Sequence, residues 1–135
     1  QDCAQAGITP ELQIPDKPLY IWGDPYSVER ILENLLSNAI RYGRSGGIIG
    51  VGLREGPDKI WIDVWDRGRG IPPYDLPYIF DRLYTAESSR NSALQGSGLG
   101  LAITKRLVEK QHGEIFVEST PHEKTTFSFY LNKSM

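Results

Sequence analysis

At 135 residues, the chain is long enough to bury a core without disulfides or a structural metal, so residues 1–135 are interpreted as one domain, with residues 1–6 as a linker. Its 15 basic and 17 acidic side chains leave a formal charge of -2, which excludes a general attraction to nucleic acid or to an acidic membrane. A single Cys3 excludes an internal disulfide, and no run reaches the roughly 18 apolar residues that span a bilayer. We therefore expect a cytoplasmic domain without direct membrane contact.

The first elements are two short strands and a long helix. Apolar stretches at Ile8–Ile14 and Leu19–Trp22 are bounded by prolines, which predicts strands near a sheet edge. Asp24 followed by Pro25 is typical of a helix N-terminus. Apolar residues at helical spacing then continue until Gly43, which predicts one long helix.

The middle of the chain predicts a hairpin followed by less regular structure. Ile48–Arg54 and Lys59–Asp66 flank a turn-forming segment and are expected to pair as antiparallel strands. A short helix is predicted at Tyr74–Phe80. Residues 81–96 include the polar, Ser-rich stretch Thr85–Gln95, which has almost no apolar pattern, and we interpret them as a mobile lid.

The last part of the chain predicts one more helix and two strands. Gly98–Gln111 has apolar residues at helical spacing, and Glu114–Ser119 and Thr125–Leu131 read as strands. Neither His112, at the helix end, nor His122, in a turn, has catalytic neighbours in the sequence, and we interpret both as structural. The order of elements predicts an α+β fold, a two-layer α/β sandwich with a mixed, mainly antiparallel sheet packed on helices.

Polar residues line one margin of the first helix. At about 100° per residue, Asn34, Asn38 and Arg41 flank the apolar sector around Leu35, whereas Glu33 lies on the solvated side. Amides at such a margin can cap a neighbouring loop. Alternatively, they can supply oxygen ligands to Mg²⁺, which shares its sites with phosphates.

Asp66 ends a strand on the same face as its apolar residues. Side-chain alternation turns Asp66 inward with Val64, where a carboxylate requires hydrogen-bond donors. It can fold onto the amides of the following turn, or it can accept a hydrogen bond from the amino group of a base. Gly68 and Gly70 would let the backbone turn sharply and approach a planar ligand.

The glycine-rich segment 96–100 precedes the last predicted helix. Backbone amides and the helix dipole at such a start favour phosphate, although close packing is an alternative reason for the glycines. The spacing fits neither a Rossmann fingerprint nor a Walker loop. The chain also lacks a Ser/His/Asp arrangement and a Cys/His zinc pattern.

Four motifs in this order resemble those of sensor histidine kinases. They resemble the N box, the first glycine box, the F box and the second glycine box, at Asn34–Tyr42, Asp66–Ile71, Ile79–Tyr84 and Gly96–Ile103. The resemblance implies the Bergerat ATP-binding sandwich, which type II topoisomerases, heat-shock chaperones and mismatch-repair ATPases share more distantly.

The resemblance also implies a role for individual residues. Asn38 would bind Mg²⁺ with support from Asn34, and Asp66 would accept the adenine amino group. The residues implied in ATP binding are Asn34, Asn38, Arg41, Tyr42, Asp66, Gly68, Gly70, Ile71, Phe80, Gly96, Ser97, Gly98, Leu99, Gly100 and Leu101, and those implied in catalysis are Asn34, Asn38, Arg41 and Arg90.

Four positions depart from the family pattern. Arg41 stands where Lys is usual and Leu83 where a second Phe is usual, which bears on activity and nucleotide handling. Glu114 and Lys124 stand where Gly is frequent, which we interpret as surface or turn variation.

The implied activity is transfer of the ATP γ-phosphoryl group to a histidine on a separate dimerisation and phosphoacceptor domain. Asn34 occupies the position at which a chaperone or topoisomerase ATPase has a glutamate base, which disfavours hydrolysis. No acceptor motif of the form His-Glu/Asp-Leu-Arg is present, so we do not expect the chain to phosphorylate itself. Expected partners are that acceptor domain and a response regulator receiver domain. We expect the fragment to be monomeric and the parent protein to be a homodimer. An inner or plasma membrane sensor with this domain on its cytoplasmic side is compatible with the sequence. The alternatives are a degenerate nucleotide-binding or docking module and a serine kinase of the anti-sigma type.

Overall fold

The computed structural model describes residues 9–13, 20–43, 46–80 and 100–133, with residues 9–13 and 41–43 described by their backbone alone. The described chain forms five strands and two α-helices. In chain order they are β1 (Thr9–Gln13), α1 (Pro25–Gly43), β2 (Ile48–Glu55), β3 (Lys59–Asp66), α2 (Gly100–Lys110), β4 (Glu114–Thr120) and β5 (Lys124–Asn132). In this part of the chain, no helix combines the length and the apolarity needed to cross a membrane.

The strands form one mixed sheet in the order β1-β2-β3-β5-β4. β1 runs parallel to β2 and the other neighbours are antiparallel. Both helices pack on one face of the sheet, and the core between the two layers includes Ile31, Leu35, Val64, Val108 and Phe129. The predicted two-layer, mainly antiparallel α+β sandwich is confirmed.

The hydrogen bonds at the N-terminus of α1 explain why the sequence predicts a helix that starts here. Asp24 Oδ2 accepts hydrogen bonds from the Ser27 backbone N at 3.1 Å and from Ser27 Oγ at 2.8 Å. Such a cap satisfies a donor that the helix leaves free, which stabilises it by roughly 1 kcal/mol. Ile31, Leu35 and Ala39 then turn inward with exposed fractions of 0%, 0% and 3%. The predicted helix and its buried face are confirmed.

Both histidines lie in turns and have a left-handed backbone conformation. His112 adopts a left-handed conformation with φ 67° after α2, and the following Gly113 N donates to Val108 O at 3.1 Å. This arrangement closes the helix and satisfies its last carbonyls. Gly113 is required there because a Cβ would collide with Tyr130 O. His122 has φ 64° in the turn between β4 and β5.

Two predicted elements differ in the structure. Where a strand was predicted at Leu19–Trp22, the described residues make only an isolated bridge between Ile21 and Lys133. Where a short helix was predicted at Tyr74–Phe80, only a three-residue 3₁₀ turn forms at Leu76–Tyr78. Pro77 has no N–H to donate, so it weakens a longer helix.

Several predicted features lie outside the described residues. These are the lid at residues 81–96 with Arg90, the glycines and neighbours at positions 96–99, and the first two residues of the predicted helix Gly98–Gln111. The described part of that helix begins at Gly100 and ends at Lys110.

Candidate functional site

Asp66 is a buried carboxylate at the end of β3. It is 3% exposed and shares its face with Ile60, Ile62 and Val64, as side-chain alternation predicted. Its Oδ1 accepts a hydrogen bond from the Gly68 backbone N at 2.9 Å. Burial raises the pKa of Asp66, and the bond from Gly68 offsets part of that effect. A carboxylate accepts about four hydrogen bonds, so the local turn predicted from the sequence forms and still leaves acceptor capacity for a ligand.

The loop after Asp66 is held against the turn between β4 and β5. Gly70 has φ 82°, and a Cβ on it would lie 3.0 Å from Ser119 Oγ and 2.8 Å from the backbone of that turn. Ile71 N donates to Ser119 Oγ at 2.9 Å, and His122 N donates to Arg69 O at 3.0 Å. A larger residue at position 70 would therefore push the loop out of place.

Thr125 is a polar residue of this site that the sequence reasoning missed. It is 3% exposed, lies opposite Asp66 in the pairing of β3 with β5, and forms a 2.7 Å hydrogen bond with Ser119 Oγ. The available signal was alternation along β5, which puts the hydroxyl of Thr125 on the same face as Phe127 and Phe129.

Asn34 joins the two helices. Its Nδ2 donates to Thr104 Oγ1 at 3.1 Å, and Thr104 Oγ1 donates to Gly100 O at 2.7 Å. Thr104 is fully buried at 0% exposure and was not singled out from the sequence. The available signal was a hydroxyl on the apolar face of α2, one turn before Val108.

Asn38 lies one turn after Asn34 and is half-buried. Within the described residues, no hydrogen bond reaches its side chain. Glu33 and Ser37 are exposed, and the predicted separation of the amide margin from the solvated side is therefore confirmed. The backbone of Arg41 lies in the last turns of the same helix.

Three apolar residues that the family resemblance implies in nucleotide binding, Ile71, Phe80 and Leu101, pack partly against the core. Phe80 meets the edge of Phe127 with ring centroids 6.2 Å apart, and the ammonium of Lys105 lies 5.7 Å from the Phe80 ring centre. Ile71 and Leu101 are half-buried beside the same core.

Gly100 and Gly68 differ in their surroundings. Gly100 is exposed at the start of the described part of α2, and within the described residues an added Cβ would meet no atom from another segment within 4 Å. Gly68 is buried and donates its backbone N–H to Asp66. The helix dipole at the start of α2 favours an anion.

Metal binding by protein ligands alone is not supported within the described residues, which contain no group of three or more His, Cys, Asp or Glu side chains. Mg²⁺ does not need such a group, because it keeps several waters and uses phosphate oxygens. The amide oxygens of Asn34 and Asn38 are hard oxygen donors on one helix margin, and they fit a cation that arrives with phosphates.

The family model described as "Histidine kinase-, DNA gyrase B-, and HSP90-like ATPase" matches residues 23–135. The chain belongs to this family. It is 51% identical over 127 residues to the sensor histidine kinase YcbM of Bacillus subtilis (strain 168), covering 94% of this chain and 41% of that protein. It is 37% identical over 120 residues to the sensor histidine kinase WalK of the same strain, covering 87% and 20%.

Solved structures agree with this assignment. The mycobacterial sensor histidine kinase MprB superposes with a TM-score of 0.82 at 30% identity, covering 96% of this chain and 86% of that chain. Within its family, the chain is thus an ATP-binding catalytic domain of the sensor histidine kinase type. It spans less than half the length of YcbM and WalK.

Proposed function

We propose that this domain binds Mg·ATP and positions the γ-phosphoryl group for transfer to a histidine on a separate dimerisation and phosphoacceptor domain of its parent protein. The observation that carries the proposal is Asp66, a 3% exposed carboxylate with one local donor and remaining acceptor capacity. An adenine amino group is a donor that matches this acceptor, and family membership supports the choice of ATP.

In the proposed complex, the Asp66 carboxylate accepts the adenine amino group. Gly68 and Gly70 keep the neighbouring backbone free of side chains, so a flat ring system can approach it. The bond from Ile71 N to Ser119 Oγ holds this loop in place. Recognition by a preformed acceptor discriminates strongly against a base that presents a carbonyl instead of an amino group, because the buried carboxylate would then face another acceptor.

The phosphates are assigned to the margin of α1 and the start of α2. Asn38, supported by Asn34, would hold Mg²⁺, which neutralises phosphate charge when it is bound. Gly100 contributes the start of α2, where the helix dipole favours phosphate. The roles of Arg41 and Arg90, together with those of Tyr42, Gly96, Ser97, Gly98 and Leu99, rest on the family resemblance.

Phosphoryl transfer is favoured over hydrolysis by the chemistry of Asn34. An amide does not act as a general base, and the Asn34 nitrogen is already engaged as a donor to Thr104. The residues that remain can orient and neutralise a phosphoryl group, which is what attack by an imidazole nitrogen from another domain requires.

The proposed partners follow from the acceptor chemistry. The acceptor histidine belongs to another domain, because the sequence contains no acceptor motif. A response regulator receiver domain would take the phosphoryl group from that histidine, and the parent protein would act as a homodimer. Use of ATP implies a reaction in the cytoplasm.

The test is phosphotransfer from radiolabelled ATP to a supplied acceptor domain, with an acceptor-histidine variant and Asn38→Ala as controls. We expect label on the intact acceptor alone, and we expect acid to remove it because phosphohistidine is acid-labile. Acid-stable label would instead indicate a serine kinase. Tight Mg·ATP binding without any transfer would indicate a docking or sensing module.

A further inference from the structure

Thr104 has a hydroxyl whose hydrogen-bond directions are fully determined by its partners. Gly100 O is a carbonyl and can only accept, so the single proton of Thr104 Oγ1 is donated to it across 2.7 Å. The Asn34 group that faces the same oxygen at 3.1 Å must therefore be a donor, namely the amide nitrogen. The choice between the two amide orientations of Asn34 is thus made by hydrogen-bond chemistry.

A planar amide carries its oxygen and nitrogen in diverging directions. With Nδ2 turned toward α2, Asn34 Oδ1 points away from Thr104. A flipped amide would instead present an NH₂ group there and repel a cation. The orientation that Thr104 selects leaves the amide oxygen, the only atom of this side chain that can ligate Mg²⁺, on the side away from Thr104.

From this arrangement we propose that Thr104 is a positioning residue, which orients the Asn34 amide so that the amide oxygen can ligate the Mg²⁺ of bound Mg·ATP. Through Thr104, the Asn34 amide is also linked to the Gly100 carbonyl at the start of α2. The proposal rests on the proposed function, because it concerns the same nucleotide site. It extends that function by adding a residue that contacts neither the nucleotide nor the metal.

The packing of Thr104 indicates that its hydroxyl has a use beyond filling space. The side chain is fully buried on the apolar face of α2 beside Val108, where valine would have nearly the same volume. A threonine that bonds back to the carbonyl four residues earlier tends to weaken a helix slightly. Its value in this position is therefore the acceptor that it offers to Asn34.

Comparison of Thr104→Val with Thr104→Ser tests the proposal, because valine removes the hydroxyl and serine keeps it. Affinity for an ATP analogue is measured by calorimetry with Mg²⁺ and, separately, with EDTA. Loss of an orienting partner of a metal site costs about 10-fold in affinity, so we expect Thr104→Val to lose roughly that factor with Mg²⁺ and at most about two-fold in EDTA. Thr104→Ser should bind like the wild type in both conditions.

A double-mutant cycle with Asn34→Ala separates positioning from a general effect on the fold. We expect Thr104→Val to have no further effect on the Mg²⁺-dependent gain when Asn34 is already alanine. Thr126→Val, on the other face of the sheet, is the matched control for a threonine change and should leave affinity unchanged. Thr104→Ala is the second variant if valine does not fold, with the same expectation.

Two outcomes overturn the proposal. One is an equal loss of affinity with and without Mg²⁺ in Thr104→Val. The other is a loss that persists unchanged in the Asn34→Ala background. These outcomes differ from a failure of the proposed function, in which the wild-type domain itself would not bind the ATP analogue.

Discussion

Two aspartates on the same strand, β3, point to opposite faces of the sheet. Asp63 lies on the open face and accepts hydrogen bonds from Arg54 Nε at 2.7 Å, Arg54 Nη2 at 2.9 Å and Ser128 Oγ at 2.7 Å. Burial alone would raise its pKa, but these donors outweigh it and hold the pKa of Asp63 below its usual range. Asp66 lies on the covered face, where burial outweighs its bond from Gly68 and raises its pKa.

The difference in hydrogen bonding distinguishes a carboxylate that stabilises the sheet from one that is a candidate for binding a ligand. The donors of Asp63 come from its own sheet, and the arrangement is complete without a ligand. Asp66 has one local donor in a buried setting, so its charged form is stabilised less by the folded chain. A buried carboxylate with a raised pKa and unused acceptor capacity is a candidate for binding a ligand.

The largest expected effect is the loss of nucleotide affinity in Asp66→Asn. The amide presents either an NH₂ group or a weaker acceptor to the adenine amino group, so affinity for an ATP analogue should fall roughly 100-fold. Equilibrium dialysis measures this loss. Asp63→Asn is the matched control, with affinity expected within about two-fold of the wild type. A similar loss in both variants would contradict the distinction between the two faces.

A smaller effect is expected from the loop beside Asp66. In Gly70→Ala, the new Cβ would be strained by the positive φ and would collide with the β4–β5 turn. The substitution should therefore lower the free energy of unfolding by about 2 kcal/mol or more. Gly47 has φ 73°, and no atom of the described residues would lie within 4 Å of an added Cβ, so Gly47→Ala should cost about 1 kcal/mol, mainly from backbone strain. Urea unfolding compares the two. Equal losses would show that the contact with the turn does not hold the loop.

On the open face, Asp63→Asn should destabilise the fold by about 1 kcal/mol, because Arg54 is more than half exposed and the surrounding water screens the pair. Ser128→Ala should have a similar or smaller effect. Thermal unfolding with and without 1 M salt, about a 3 Å screening length, measures the electrostatic part. A loss that salt does not reduce would mean that the side chain acts through packing.

The smallest expected effects concern how the free energy of unfolding depends on pH, and they have opposite signs for Asp66→Asn and Asp63→Asn. The raised pKa of Asp66 means that its ionised form costs stability at neutral pH, so Asp66→Asn should be as stable as the wild type or more stable. That advantage should shrink as the pH falls through the folded-state pKa of Asp66 and vanish below the unfolded value of about 3.9. Asp63 has a lowered pKa, so its stabilisation is present above about pH 3.9 and is lost as the pH falls through its folded-state pKa.

Urea unfolding of the wild type and both variants across pH 3 to 8 gives two difference curves. We expect the Asp66→Asn curve to lie above zero at neutral pH and the Asp63→Asn curve below it, with both approaching zero in acid. Difference curves of the same sign would contradict the account of the two carboxylates.

Local rules were enough to predict much of the fold. Asp24 and Pro25 marked the start of α1, and period-two alternation along β3 turned Asp66 inward, because these patterns depend on neighbours in the sequence. The order of strands and the parallel pairing of β1 were not predicted in detail, since they depend on contacts between distant segments.

The candidate site was predicted in part for the same reason. The motifs pointed to Asn34 and Asp66, but the bond from Asn34 to Thr104 joins residues 70 positions apart, and that from Ile71 to Ser119 spans 48. Neither Thr104 nor Ser119 belongs to a pattern that requires a hydroxyl, so only the folded arrangement shows what each one contacts. At Tyr74–Phe80, Pro77 favoured a short turn over the predicted helix.

Recognition of the adenine of Mg·ATP by Asp66 is tested most directly by calorimetric titration of the domain with a non-hydrolysable ATP analogue, with and without Mg²⁺, and with the corresponding GTP analogue. We expect saturable 1:1 binding of the ATP analogue, strengthened by Mg²⁺, and weak or undetectable binding of the GTP analogue, which presents a carbonyl in place of the adenine amino group. Equal binding of both analogues, or no binding of the ATP analogue with Mg²⁺ present, would contradict the assignment of Asp66 as the purine-recognition residue of a Mg·ATP site.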